Sequence, residues 1–400
     1  MIRFLDLAAQ NREIAADVDR ELSRIHDHTS YIDGPQVAAF EREFANYLGV
    51  RRVVGVGSGT DALRLSLLAL GVGQGGEVLT VPMTFIATAE AIIQTGAVPV
   101  LIEIDPETGT MSPQGLRKYL EAGSWKSPNG PRAIVPVHLY GLPAAMNEIC
   151  EIAAARRIPV VEDACQAHGA RVREPGRWRM AGALGRVGCF SFYPGKNLGA
   201  WGEAGAVATN DEAVAEKILR LRNHGRISHY AHADCGYNAR LDTIQAAVLG
   251  VKLKRLAKWT QRRREIAAAY SALFQAFGVD TQLEPVGYES CYHLFVIRSA
   301  RRDAIRQALL TNEIECGIHY PIPLHLQPAL LSLGYHAGDF PVSERWANTV
   351  LSLPMHAHMS NAEVVRVVNT IAAVISHNDN AFAGEPMVSS AANVPRRAAE

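Results

Sequence analysis

The chain has 400 residues, with 40 lysines and arginines set against 40 aspartates and glutamates, a formal net charge of +0. Its 48% hydrophobic and 20% charged residues exclude the apolar-poor, strongly charged composition of a disordered chain. Charge balance supplies no long-range pull toward nucleic acid or anionic membrane, and no apolar run reaches the roughly 18 residues of a bilayer span. The start, Met1-Ile2-Arg3-Phe4-Leu5-Asp6, lacks the apolar stretch of a signal peptide, and the six cysteines stand singly without a CxxC pair. The expectation is a cytoplasmic protein with reduced thiols, large enough for one large and one smaller domain.

In chain order, strands are predicted at 52–56, 77–81, 100–104, 133–137, 160–162, 188–192 and 205–209, with helical periodicity at 61–70, 89–94 and 146–155. Strands alternating with helices predict an α/β fold, a mostly parallel sheet covered on both faces, with ligands at the carboxyl ends of the strands. This large domain is assigned to residues 1–250. Beyond it come a long helix at 251–274, a strand at 292–298, and helices at 302–310 and 361–375. These read as a smaller α+β domain over 251–377. Residues 378–400, rich in Ala, Asn, Ser and Pro, read as a disordered tail. The basic residues Lys252, Lys254, Arg255, Lys258 and Arg262 to Arg264 spread around the long helix and read as a solvated face rather than a phosphate patch.

Three clusters carry chemistry. Gly55-Val-Gly57-Ser58-Gly59-Thr60-Asp61 follows a strand and opens a helix, where glycines and unpaired first amides make a phosphate cradle. A plain strand–turn–helix connection and a variant dinucleotide fingerprint, with Glu77 as its distant acid, stay open. Val160-Val161-Glu162-Asp163 is an apolar strand ending in acid, where a buried carboxylate needs a positive partner such as a protonated ring nitrogen, or else caps a turn. Gly188 to Gly199 runs from a strand into a Gly- and Pro-rich loop around Lys196, where a lysine amine with a lowered pKa is a competent nucleophile toward an aldehyde. The P-loop pattern fails there, because Phe190 and Asn197 stand where Gly and Ser or Thr are required. Together, cradle, acid and lysine match the needs of pyridoxal phosphate: a Schiff-base lysine, an acid on the pyridine nitrogen and a grip on the phosphate.

The sequence resembles the DegT/DnrJ/StrS family of nucleotide-sugar aminotransferases. The matching segments are Tyr31-Ile-Asp-Gly-Pro35, Gly59-Thr-Asp-Ala-Leu63, Thr84-Phe-Ile-Ala-Thr88, Glu162-Asp-Ala-Cys-Gln166, Ser191-Phe-Tyr-Pro-Gly-Lys-Asn-Leu-Gly199, Gly236-Tyr-Asn-Ala-Arg-Leu241 and His319-Tyr-Pro321, in family order. The resemblance implies an aspartate-aminotransferase-like fold (fold type I) and a homodimer with shared active sites. It implies that Lys196 is the Schiff-base lysine and proton shuttle, that Asp163 pairs with the pyridine nitrogen, and that Gln166 lies beside the ring. Phe85 would stack on the ring, Gly59, Thr60 and Ser191 would bind the phosphate, and Asn238 would reach it from the partner subunit. His168, Tyr320 and Arg240 would contact the substrate.

The implied reaction moves an amino group from an amino acid, L-glutamate in the family, to a nucleotide-linked ketosugar. The form of the lysine loop is most similar to members acting on 3-keto sugars, with 4-keto sugars the alternative. An NAD(P)-dependent sugar oxidoreductase and a non-catalytic regulator are the readings from other classes. One departure stands out: where family members often have Gly-Asp-Gly-Gly, this chain has Gly202-Glu203-Ala204-Gly205, and a local adjustment is expected.

Overall fold

The computed structural model describes residues 1–376; the tail expected over 378–400 lies outside them. Two helices precede the first strand. They are α1 (Leu7–His28), capped by the Asp6 carboxylate, and α2 (Pro35–Leu48), whose buried Val37, Phe40, Phe44 and Leu48 recur at helical spacing. The alternating region then runs β1 (Arg52–Val56), α3 (Gly59–Ala69), β2 (Glu77–Thr80), α4 (Ala87–Ile93), β3 (Val98–Leu101), α5 (Pro113–Ala122), β4 (Pro131–Ile134), α6 (Met146–Ala155) and β5 (Val161–Asp163). A surface hairpin, β6 (Arg171–Glu174) and β7 (Arg177–Met180), leads to β8 (Val187–Ser191), β9 (Gly205–Thr209) and α7 (Glu212–Leu221).

One sheet results. β3, β2 and β4 are parallel neighbours, and parallel bridges Ile134 to Val160 and Val137 to Asp163 join them to β5. The order across is therefore β3-β2-β4-β5-β8-β9-β1, with β9 antiparallel to both its neighbours. Side chains alternate between its two faces. Val54, Val56, Val187, Cys189 and Val207 pack under α3 and α7, with Leu63, Leu67 and Ile218. Val53, Phe190, Ala206 and Ala208 face α2 and the long helix α8 (Thr243–Gln275), with Phe44 edge-on to Phe190 at 5.1 Å. The predicted strands at 100–104 and 133–137 lie two residues earlier in the structure, while 52–56 and 205–209 coincide.

The position 250, taken as a boundary, lies inside α8, which extends beneath the sheet and on into the C-terminal region. There β10 (Asp280–Thr281), β12 (Phe295–Arg298) and β13 (Val350–Leu353) form an antiparallel sheet, after β11 (Tyr288–Glu289) pairs back onto β6. Helices α9 (Arg302–Thr311), α10 (Pro341–Thr349) and α11 (Asn361–Ser376) complete it. The N-terminal residues join this region: Ile2 bridges Ile314 in parallel, and the Phe4 amide donates to the Glu315 carboxylate at 2.7 Å.

Among the basic residues of α8, Lys254 and Lys258 are exposed, as expected of a solvated face, whereas others turn inward. Lys252 is buried and donates to the Gly199 carbonyl at 2.7 Å, and Arg263 spans the carbonyls of Tyr292 and Met355 at 3.0 and 2.8 Å. Arg264 ties the Gly169 and Ser290 carbonyls, and Arg255 pairs with Asp17. They join α8 to its neighbours through carbonyls that would otherwise be buried without donors. No helix among the described residues is long and apolar enough to cross a membrane.

Candidate active site

A cavity of about 570 Å³ opens at the carboxyl ends of β1, β5 and β8 and is closed on its other side by the C-terminal region. The two acids ending β5 point to opposite sides of the sheet. Glu162 turns away from the cavity and is saturated: the amides of Gly182, Leu184 and Gly185 donate to it at 2.7, 2.7 and 2.6 Å. His138 Nε2 lies 2.9 Å from it, and because Ala144 N–H donates to the His138 Nδ1, Nε2 carries the proton. Asp163 turns into the cavity. It receives the Thr88 hydroxyl at 2.8 Å and the Cys165 amide at 3.2 Å, and no cation of the described residues pairs with it. The Thr88 hydroxyl is itself 3.0 Å from that of Thr84, one turn earlier.

Lys196 comes from the loop after β8. The turn is closed by its amide on the Tyr193 carbonyl at 2.8 Å, and Ala200 N–H returns to the Phe192 carbonyl at 2.8 Å. Asn197 anchors the loop to the Cys291 carbonyl at 3.0 Å, and Lys252 holds its far end at Gly199. A Cβ on Gly199 would sit 2.3 Å from the Pro194 carbonyl oxygen, so this tight return requires glycine. The Lys196 amine lines the cavity and forms no ion pair or hydrogen bond among the described residues. Burial pushes its pKa below the ordinary lysine value, against the opposing pull of Cys165, Asp163 and Cys291.

The far wall is the start of α3. Ser58 caps the helix by accepting from the Asp61 amide at 3.0 Å, which leaves the amides of Gly59 and Thr60 without an acceptor among the described residues. A Cβ on Gly59 would lie 2.6 Å from the Ser191 Cβ, so glycine lets β8 close against this amide cradle. Phe85 is 54% exposed over the cavity, an apolar ring with an open face, and Tyr320 stands 5.9 Å from it. Gln166 is fixed at both ends of its amide, accepting from the Tyr140 N–H at 2.7 Å and donating to the Tyr320 hydroxyl at 3.1 Å.

The fit to pyridoxal phosphate follows from these features. An uncompensated buried carboxylate suits a protonated ring nitrogen, unpaired helix-start amides beside a hydroxyl suit a phosphate, an exposed aromatic face suits a flat ring, and a half-buried amine suits an aldehyde. Glu77, the acid that a dinucleotide site would use, lies at the opposite edge of the sheet as the first residue of β2, held by the Tyr119 hydroxyl at 2.6 Å and the Ser127 amide at 2.7 Å. That removes the dinucleotide reading of Gly55 to Gly59.

Of the residues singled out in the sequence, Gly59, Thr60, Phe85, Asp163, Gln166, Ser191, Lys196 and Tyr320 all line the cavity. His168 does not. The turn closed by Ala167 N–H on the Ala164 carbonyl carries its ring into the aromatic core, 5.5 Å from both Phe190 and Phe192, where burial lowers its pKa to about 3. Asn238 and Arg240 also lie outside this chain's cavity, in the segment that pairs with Asn223 and Val56. Cavity residues to which the sequence reading gave no role are His293, His319, Tyr193, Glu203, Phe4 and Leu5. His319 stacks on Phe4 at 5.7 Å, bonds Ser352 at 2.9 Å through Nδ1, and has its pKa lowered to about 4 by burial. In the Gly202 to Gly205 segment the roles of the residues divide. Ala204 is core, Glu203 lines the cavity, and Gly205 could not bear a Cβ, which would fall 2.2 Å from the Ser58 carbonyl oxygen.

Comparison with known proteins agrees with this geometry. The model of the DegT/DnrJ/EryC1/StrS aminotransferase family matches residues 12–372. The dTDP-3-amino-3,4,6-trideoxy-alpha-D-glucose transaminase of Streptomyces venezuelae is 41% identical over 371 residues, 92% of this chain and 95% of that one. The erythromycin biosynthesis sensory transduction protein EryC1 of Saccharopolyspora erythraea is 44% identical over 375 residues, 93% of this chain and 99% of that one. Among solved structures, DesV of S. venezuelae in complex with a ketimine intermediate superposes with a TM-score of 0.89 at 40% identity, covering 94% of this chain and 98% of that one. The chain belongs to the DegT/DnrJ/EryC1/StrS aminotransferase family.

Proposed function

We propose that this aminotransferase uses pyridoxal phosphate to move an amino group from an amino acid, L-glutamate in the first instance, to the keto group of a nucleotide-linked 3-keto sugar. The observation that carries the reading is the pairing of a half-buried, hydrogen-bond-free Lys196 amine with a buried Asp163 that has no cation partner among the described residues, across one cavity. Pyridoxal phosphate would supply there an aldehyde that the lysine can engage and a ring that withdraws electrons from the carbon losing its proton.

The residues divide the rest of the work. Asp163, oriented by Thr88, would hold a proton on the ring nitrogen. The Gly59 and Thr60 amides with the Ser191 hydroxyl would bind the phosphate, and Phe85 and Gln166 would flank the ring. The Lys196 amine would accept a proton from the donor's α-carbon and return one to the sugar carbon. A lysine with a lowered pKa is deprotonated for this step over a wider pH range than a surface lysine. Relatives that act on dTDP- and UDP-linked 3-amino sugars support the position of amination. A purely regulatory role, suggested by the name of the S. erythraea relative, leaves the retained lysine and aspartate without a use.

The site is proposed to be completed in a homodimer. No arginine of the described residues lines the cavity, although both substrates are anionic. Asn238 and Arg240 would be offered to the partner's cavity, and Tyr193, Trp201, Ile227 and Tyr230, all exposed, would be covered by the partner. Transfer of label from ¹⁵N-glutamate to a dTDP- or UDP-linked 3-keto sugar, followed by mass spectrometry, tests the reaction. Amination of only the 4-keto isomer would overturn the positional assignment.

A further inference from the structure

The sheet has a second ligand-sized feature at its opposite edge. A cavity of about 420 Å³ is lined by Arg132, Arg156, Arg157 and Arg186 over a floor of Ala69, Leu70, Pro131, Ile158 and Pro159. No carboxylate of the described residues lines it. The four arginines come from separate parts of the fold: Arg132 from β4, Arg156 and Arg157 from the residues after α6, and Arg186 from the residue before β8. Ser191, at the other end of β8, lies in the active-site cavity, so the two cavities are separated by one strand length, about 17 Å for five residues.

The structural uses of these arginines do not account for the cluster. Arg156 spends Nη1 on the Leu120 carbonyl at 2.6 Å, which closes the end of α5. Arg186 spends Nε and Nη2 on Asp211 at 3.1 and 2.7 Å. Arg132 and Arg157 make no ion pair and no side-chain hydrogen bond among the described residues. The carboxyl end of α6 attracts cations and explains a positive charge at Arg156 or Arg157, but it does not explain Arg132 or Arg186. Arg157 also sits at a φ of 55°, a left-handed cap position where glycine is the less strained choice. The fold thus keeps a long cation at a position that disfavours any side chain.

We propose that this cavity binds a diphosphate-bearing ligand, with the guanidinium groups of Arg132 and Arg157 as its main contacts. Guanidinium forks match phosphate oxygens in bidentate geometry. The volume falls within the range of small-molecule sites, and its lining is mostly polar. The ligand chemistry is that of a nucleoside diphosphate or of inorganic diphosphate. Because the chain has no net charge, attraction must come from this cluster itself.

Titration calorimetry of the full-length, cofactor-loaded protein with inorganic pyrophosphate, at about 0.15 M salt, tests this. The comparison variant is Arg132→Gln with Arg157→Gly, the second change relieving the backbone strain so that folding is preserved. The expected result is pyrophosphate binding by the unmodified protein, weakened at least tenfold in the double variant, with kcat for transamination unchanged. Titration with dTDP and UDP then separates the sources. Tighter binding than pyrophosphate at this site assigns the nucleoside diphosphate, and equal binding assigns the inorganic ion. Absence of pyrophosphate binding, binding indifferent to the double substitution, or binding of hexaglutamate in preference to pyrophosphate would each overturn the proposal.

Discussion

Glu162 and Asp163 are adjacent, equally acidic and both buried, yet the surroundings built for them differ. On one face of β5 Glu162 meets three amides and an imidazole N–H, so its charge is fully answered by the chain. On the other face Asp163 meets one hydroxyl and one amide and no cation. A buried charge answered by the chain organises structure; one left short is built to meet something else. Here the first fastens the 182–185 turn under the sheet, and the second waits at the bottom of the cavity across from Lys196.

Substitutions can break this contrast. Asp163→Asn keeps the size and the Thr88 contact but removes the charge, so transamination should fall by about 10²- to 10³-fold, the range seen when one preorganised electrostatic partner is lost. The fold itself should be as stable as before or more so without cofactor, because an unpaired buried charge is gone. Urea unfolding alongside steady-state rates measures both. Glu162→Ala should do the reverse. It strands four buried donors and should cost at least about 3 kcal/mol of stability, read from the urea midpoint, with any activity that survives showing an unchanged KM. If Asp163→Asn proves the more destabilising of the two, the contrast fails.

Thr88→Val sharpens the comparison at a finer scale. It removes the hydroxyl that orients Asp163 while keeping its shape, and a loss of about 1–2 kcal/mol in cofactor affinity or in kcat/KM is expected for one hydrogen bond to a charge. Cofactor titration followed by visible absorbance checks this.

Stability should also depend on pH. Burial lowers the pKa values of His319 and His356 to about 4 and of His168 to about 3. The folded chain therefore binds fewer protons than the unfolded chain between about pH 4 and the usual histidine value near 6.5. Stability rises with pH across that window and is lost as pH falls through it, by at most about 1.4 kcal/mol per histidine per pH unit. Thermal midpoints measured at pH 7 and pH 5 should fall on acidification.

Much of the large domain was legible in the sequence. The run of apolar strands ending in Glu162-Asp163 and in Ser191, and the glycines at 59, 199 and 205, carry local signals that do not depend on distant partners. The helices α1 and α2 have the required periodicity, with Phe40, Phe44 and Leu48 of α2 at helical spacing, but lie before the first strand, outside the alternation that guided the reading. Lys254 and Lys258 of α8 are solvated as expected, but Lys252 and Arg263 misled, because a charge pattern does not reveal buried carbonyls; these two are explained only by the loops that α8 packs against. His168 misled for a related reason: one turn beyond β5, direction is set by the turn rather than by the strand. His293 comes from a region some hundred residues away that closes over the cavity, and nothing near it in the sequence signals that approach, whereas His319 adjoins Tyr320, which the family resemblance placed at the substrate.

The central claim is that Lys196 is the group through which the amino group passes. Single-turnover mixing of the pyridoxal phosphate-loaded protein with L-glutamate tests it, by quantifying 2-oxoglutarate against active sites while following the visible band. The account predicts about one 2-oxoglutarate per site with loss of the band, and a fall of at least about a thousandfold in the rate for Lys196→Ala even where that variant still binds the cofactor. Release of 2-oxoglutarate by Lys196→Ala at a rate near that of the unmodified protein would contradict it.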